Sequence, residues 1–178
     1  WTQLEGEPYG AIRAAIDALR GAFFPPNLVL MDRTDRDLDG LDTVLQHCRG
    51  ANVGMALYLP DQEGGLGHLP DINLWVSDRG PDWTMQFDLA NLDLQGLLGY
   101  LVGTRLSLRI NLLTVVQEQD TGAARRFMAQ LLDMARLPAS TRAVVLEGRF
   151  LERLGDAPAA GLQVFGAPLG LGDGGVDT

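Results

Sequence analysis

A mainly parallel β-sheet covered by helices on both faces is the fold this sequence predicts, and three observations predict it. Short, continuously apolar runs such as 28–31 and 112–116 suit strands buried on both faces. Segments with helical apolar spacing lie between these runs, so successive strands need crossover connections instead of tight hairpins. The chain has 178 residues, 46% of them hydrophobic and 21% charged, enough to bury the core of one ordinary domain. The sequence therefore reads as a single α/β domain over 1–168, followed by a flexible glycine-rich tail over 169–178.

The elements follow in order. Residues 8–21 place Ile12, Ile16 and Leu19 on one helical face, with Pro8 at a favoured first position and Gly21 at the stop. Pro25-Pro26 breaks the chain before the strand 28–31. A second helix starts at Leu38, where Leu41, Val44, Leu45 and Cys48 share a face and Gly50 is expected to close it in a left-handed turn. A strand over 53–59 comes next, and residues 60–71, with two prolines and three glycines, read as a loop. Ile72 to Val76 is a third strand, whereas 77–91 has no clean period and fits either a loop or a hairpin. From Asp93, the residues Leu94, Leu97, Leu98, Leu101 and Val102 form a stripe broad enough to predict a mostly buried helix, with Gly96, Gly99 and Gly103 permitting close packing. Leu106 to Val116 is the longest strand candidate, and Asp120 or Thr121 is placed to cap a helix running to Arg136. Its inner face is Phe127, Met128, Leu131, Leu132 and Ala135. Strands over 143–147 and 162–165 remain, with room for only a short helix between them. The central strands are expected at 28–31, 53–59 and 107–115, and Trp75, Leu112 and Leu131 are expected to be buried.

Composition excludes several function classes. Fourteen basic against 23 acidic residues leave a formal charge of −9, which repels phosphate backbones and anionic lipid, so neither nucleic acid nor direct lipid binding is expected. All the basic residues are arginine. Schiff-base, P-loop and other lysine chemistry is thereby removed. The single cysteine, Cys48, cannot form an internal disulfide, and a reducing compartment is the simplest setting for it. No apolar run approaches the ~20 residues that span a bilayer, and no charged-then-apolar leader opens the sequence.

Several motifs have a chemical and a plainer reading. Asp35, Asp37, Asp39 and Gly40 copy the start of an EF-hand loop, but Gln46 stands where a bidentate glutamate would complete the shell, so acidic residues at a helix start are the better account. His47 and Cys48 are consecutive on a helix and point ~100° apart, which disfavours a shared metal. With His68 the only other histidine, no metal site or histidine-based triad is expected. No nucleophile–base pair stands out, and an enzyme is not expected. The tail from Gly166 to Gly175 is glycine-rich after a strand, yet no helix follows to receive an anion, so no cofactor is expected. Trp75 suits a core strand; Trp83 suits a groove or an interface.

Two stretches resemble the cytoplasmic C-terminal domain of cation-chloride cotransporters. Ile72-Asn73-Leu74-Trp75-Val76 is similar to the family's isoleucine–aspartate–x–tryptophan–tryptophan strand. The run 97–102, Leu-Leu-Gly-Tyr-Leu-Val, followed by Leu108-Arg109-Ile110, is similar to its leucine-rich helix and the start of its next strand. Pro26-Asn27-Leu28-Val29-Leu30 and 161–166 add to the resemblance, which spans most of 8–168 and is specific over 72–116. Asn73 in place of aspartate, Val76 in place of tryptophan and the length of 77–91 point to a prokaryotic or amino-acid-permease-like relative.

The resemblance implies a fold like one of two tandem universal-stress-protein-like halves, the second. It also implies a non-enzymatic regulatory and assembly domain on the cytoplasmic side of a membrane transporter of potassium or sodium with chloride, whose partners are the transporter's membrane module and a second copy. Trp83, Met85, Phe87, Leu94 and Tyr100 are the interface candidates, because aromatics beside an apolar stripe mark contact surfaces. The competing expectation is a universal-stress-protein-like nucleotide sensor built on Asp32, Gly166 and Gly170, against which Pro168 stands where a basic residue is usual.

Overall fold

The computed structural model describes residues 8–32, 38–60, 68–84 and 92–166. Where the sequence reads as one domain over 1–168, the chain divides after Gln62 into two compact units, each with its own sheet and core. The tail over 169–178 lies outside the described residues, as do Asp35 and Asp37.

The first unit contains α1 (Pro8–Leu19), β1 (Leu28–Asp32), α2 (Leu38–Ala51) and β2 (Gly54–Tyr58). The two strands pair in parallel, Leu28 opposite Gly54 and Asp32 opposite Tyr58. Ile16 of α1 and Val44 and Cys48 of α2 bury themselves against Val29, Met31 and Met55. Because strand side chains alternate, Leu30 points to the other face and is 69% exposed. The helix stop differs from expectation. Gly50 stays inside α2, and Asn52 adopts the left-handed φ of 56°. Val53 N–H then donates to Cys48 C=O and Asn52 N–H to Arg49 C=O, the paired bonds of a Schellman cap. Asparagine tolerates this conformation better than most residues, so glycine spacing alone misplaces the end.

The second unit contains β3 (Asp71–Trp75), α3 (Leu92–Leu106), β4 (Arg109–Val116), α4 (Thr121–Ala135), β5 (Arg142–Glu147), α5 (Phe150–Arg153) and β6 (Leu162–Phe165). Its four strands are all parallel, in the order β5-β4-β3-β6. In sequence terms this is 3-2-1-4, the doubly wound pattern in which the last crossover passes to the opposite face. Accordingly α3 and α4 cover one face, where Ile72, Leu74, Ile110, Leu112 and Val116 meet Phe127, Met128 and Leu131. The segment 150–157 covers the other, where Trp75, Leu113 and Val115 meet Val144, Leu146 and Leu154. Trp75, Leu112 and Leu131 are buried as expected. The expected central strands fall in two sheets: 28–31 and 53–59 pair with each other in the first unit, and 107–115 contributes β4 to the second.

On the α5 face, a polar ladder crosses the sheet. Asn73 and Asn111 are cross-strand partners, both buried, and Asn111 Nδ2 donates to Asn73 Oδ1 at 3.0 Å. Asn73 Nδ2 donates to the Pro158 carbonyl at 2.7 Å, which ties the last crossover to the sheet. Arg109 Nε donates to Asp71 Oδ1 at 2.6 Å beneath them. The expected side-chain cap of α4 is absent: neither Asp120 nor Thr121 caps it, and Thr121 Oγ1 instead donates to Glu147 Oε1 at 3.1 Å.

Candidate interaction surface

The helix α3 is turned against its own hydrophobic pattern. Its buried residues are Leu92, Gln95, Gly99 and Gly103, which recur with helical spacing and line the side facing the sheet. Gly99 lies over Leu74 so closely that a Cβ there would be 2.7 Å from both methyl carbons of that leucine. A Cβ at Gly103 would be 3.3 Å from Ile110. Gln95, buried one turn before Gly99, reaches with Nε2 to the Trp75 carbonyl at 3.4 Å. Small residues let the helix axis come close to the strands, and the leucines are thereby turned outward.

Leu97 is 54% exposed, Leu101 53% and Tyr100 43%, so the stripe expected to be mostly buried is half in solvent. At Gly96, half-buried beside the groove described next, a Cβ would meet nothing within 4 Å. A groove of about 560 Å³ runs between α3 and the end of α4. Its walls are Leu97, Tyr100 and Met134, Leu112 and Leu131 lie at its base, and Asp93 and Arg136 supply its polar groups. Met134 is 65% exposed. Arg136 takes a left-handed φ of 48° at the end of α4, as Ser107 does with 57° at the end of α3. Apolar side chains of this size, contiguous and accessible, form the kind of patch that associates with another apolar surface.

Two of the sequence-derived interface candidates, Leu94 and Tyr100, belong to this helix, Leu94 half-buried and Tyr100 exposed. Trp83 does not join them. It is 9% exposed and packs edge-on against Phe127 with ring centroids 5.5 Å apart, because the chain after β3 folds back over the α4 side of the sheet. Met85 and Phe87 lie outside the described residues. Leu97 and Leu101 belong to the stripe that sequence reasoning expected to be mostly buried, and Met134 is the residue it did not single out. The signal that finds the first two is the repeat Gln95, Gly99, Gly103, a small or polar residue every fourth position that competes with the leucines for the sheet.

The alternative nucleotide residues are not assembled on one sheet. Asp32 ends β1 in the first unit, Gly166 follows β6 in the second, and Gly170 is outside the described residues. His47 Nε2 sits 3.0 Å from Asp17 Oδ1 and bridges α2 to α1, while Cys48 is buried, and desolvation raises its thiol pKa above the ordinary 9.0. His68 is exposed. Among the described residues no group of three or more His, Cys, Asp or Glu is placed to hold a metal, and no helix is long and apolar enough to cross a membrane.

Comparison with known proteins turns this surface into a question about a transporter. Residues 4–66 match the family model described as "Prokaryotic cation-chloride cotransporter, C-terminal domain, 1st", and residues 67–170 match the corresponding "2nd" domain. This chain belongs to the prokaryotic cation-chloride cotransporter family. The boundary between the two matches, after residue 66, lies close in sequence to the division into two compact units after Gln62, and the chain carries sequence of both C-terminal domains, not of the second alone. A solved structure, "Crystal structure of the cytoplasmic domain of a prokaryotic cation chloride cotransporter", superposes with a TM-score of 0.76 at 25% identity over 86% of this chain. This chain spans 59% of that structure's chain. No curated protein sequence matches. The parallel α/β architecture is thus that of a cotransporter C-terminal domain. The asparagine at 73 has a local reason in this member: its amide donates to Pro158, which an aspartate could not do.

Proposed function

We propose that this chain is the non-enzymatic regulatory and assembly region of a cation-chloride cotransporter, lying on the cytoplasmic side of the membrane and acting through protein contacts. The transporter would carry potassium or sodium with chloride through its membrane module, and the partners would be that module and a second copy of this chain. Family membership supports the transporter. The observation that carries the contact role is α3, which presents Leu97 and Leu101 to solvent while Gly99 and Gly103 face the sheet. Exposing leucine and burying glycine forgoes apolar burial of ~1.5–3 kcal/mol per leucine, a cost that another surface covering the helix would offset.

Sedimentation of the 178-residue chain across a wide concentration range, together with cross-linking of the intact transporter in its membrane, tests the reading. Concentration-dependent association that weakens on Leu97→Glu, or cross-links through 92–106 to the membrane module or a second copy, is the expected result. A strict monomer together with no contact through α3 in the intact transporter would overturn it.

A further inference from the structure

We infer that the amino end of the second unit's sheet docks on anionic lipid headgroups of the cytoplasmic leaflet; this rests on the cytoplasmic placement proposed above and not on the contact role of α3. All the strands of this sheet are parallel, and α3 and α4 are the crossovers between them. The starts of β4 and β5 and the ends of α3 and α4 therefore lie at one end of the sheet. Arginines gather there: Arg105 in the last turn of α3, Arg109 at the start of β4, Arg136 just after α4 and Arg142 at the start of β5. All are exposed. Arg109 pairs with Asp71 at 2.6 Å, whereas Arg105, Arg136 and Arg142 have no ion-pair partner among the described residues.

The formal charge of −9, which argues against lipid when averaged over the chain, is thus spread unevenly. Asp78, Asp82, Asp93, Glu118, Asp120 and Glu147 lie toward the carboxyl end of the sheet, about 18 Å away along α3 at 1.5 Å per residue. Attraction to a charged surface fades within a Debye length of ~8–10 Å, so those carboxylates oppose it little. The basic end also exposes apolar side chains, Leu106, Met134 and Leu69, the last placed there by Arg109 N–H, which donates to the Pro70 carbonyl at 2.8 Å. Helix ends favour arginine on their own account, but that explains only Arg105 and Arg136 and leaves Arg142 and the apolar side chains without a role. A bilayer surface accepts both kinds: guanidinium groups bind phosphates bidentately, and leucine and methionine enter the boundary between headgroups and acyl chains. Each arginine near an anionic surface strengthens binding about fivefold. That holds a free chain weakly, and a membrane anchor in the same polypeptide raises its effective concentration at the surface.

The test reconstitutes the intact transporter in bilayers of phosphatidylcholine alone and of phosphatidylcholine with phosphatidylglycerol, and follows amide hydrogen exchange. Residues 104–109 and 136–142 should exchange about tenfold more slowly in the anionic bilayer, and salt at about 0.5 M should remove the difference. Arg105→Gln/Arg136→Gln/Arg142→Gln should abolish it. Arg125→Gln/Arg126→Gln/Arg149→Gln removes the same charge from exposed positions elsewhere in the unit and should leave the difference within about twofold. Exchange that ignores lipid charge in the unaltered transporter, or equal loss in both triple variants, would overturn the inference. The lipid and salt comparisons need no variant, so they decide the matter even where a substitution unfolds the chain. Cross-linking through α3 is independent of lipid charge, and the two readings fail separately.

Discussion

Adding one methyl group at each of two glycines three positions apart, Gly96 and Gly99, should change stability in opposite directions. Both lie inside α3, and replacing glycine by alanine in a helix interior contributes up to ~1 kcal/mol. At Gly96 nothing stands within 4 Å of the new Cβ, so Gly96→Ala should keep that gain of ~0.5–1 kcal/mol. At Gly99 the same Cβ would lie 2.7 Å from both Leu74 methyls and 3.2 Å from Cγ. Leu74 is fully buried on a central strand and cannot swing aside, so the helix must lift from the sheet or Leu74 must leave its rotamer. Overpacking of this kind costs ~1–3 kcal/mol, leaving Gly99→Ala lower by about 0–2 kcal/mol net. The two variants should therefore differ by about 1–3 kcal/mol, or roughly 2–12 °C in the melting temperature of a chain this size. Gly103→Ala, with Ile110 3.3 Å away, should fall between them. Thermal and urea unfolding followed by circular dichroism measure this. If Gly99→Ala stabilises as much as Gly96→Ala, the glycine side is not against the sheet, and the reasoning that turns the leucines outward is wrong.

Three further outcomes follow from the same structure. Asn73→Asp should cost about 2–4 kcal/mol at pH 7, because a buried carboxylate loses the donor to Pro158 and stands beside Asp71. The loss should shrink as the pH falls, since burial raises the new carboxyl's pKa in the native state and its protonated form can donate again; urea midpoints unchanged between pH 7 and 5 would refute this. Desolvation raises the Cys48 pKa above 9.0, so the native state holds that proton more tightly than the unfolded chain. The contribution is intact below the unfolded pKa and lost as pH rises through the native value, and Cys48→Ala should remove that alkaline decline in the first unit. Calorimetry should detect no ATP binding to the 178-residue chain, which has no lysine and keeps Asp32 and Gly166 in separate sheets. Micromolar affinity abolished by replacing Asp32 or Gly166 would restore the nucleotide sensor.

The sequence alone determined the element types, because burial on two faces forces continuous apolar strands and crossover topology forces helices between them. It also made Trp75, Leu112 and Leu131 core residues, and the family resemblance at 72–76 and 97–110 was legible in the order of its motifs. Which strands pair was decided by tertiary structure: apolar runs such as 28–31 and 112–116 satisfy the same local rule, and only the packed units assign them to different sheets. The stops of α2, α3 and α4 were likewise settled by closure geometry, with Asn52, Ser107 and Arg136 taking the left-handed position. The rotation of α3 decided the candidate surface. Hydrophobic periodicity finds an apolar side but ignores volume; the space above Leu74 and Ile110 admits glycine and not leucine, and close packing against the sheet outweighed the pattern.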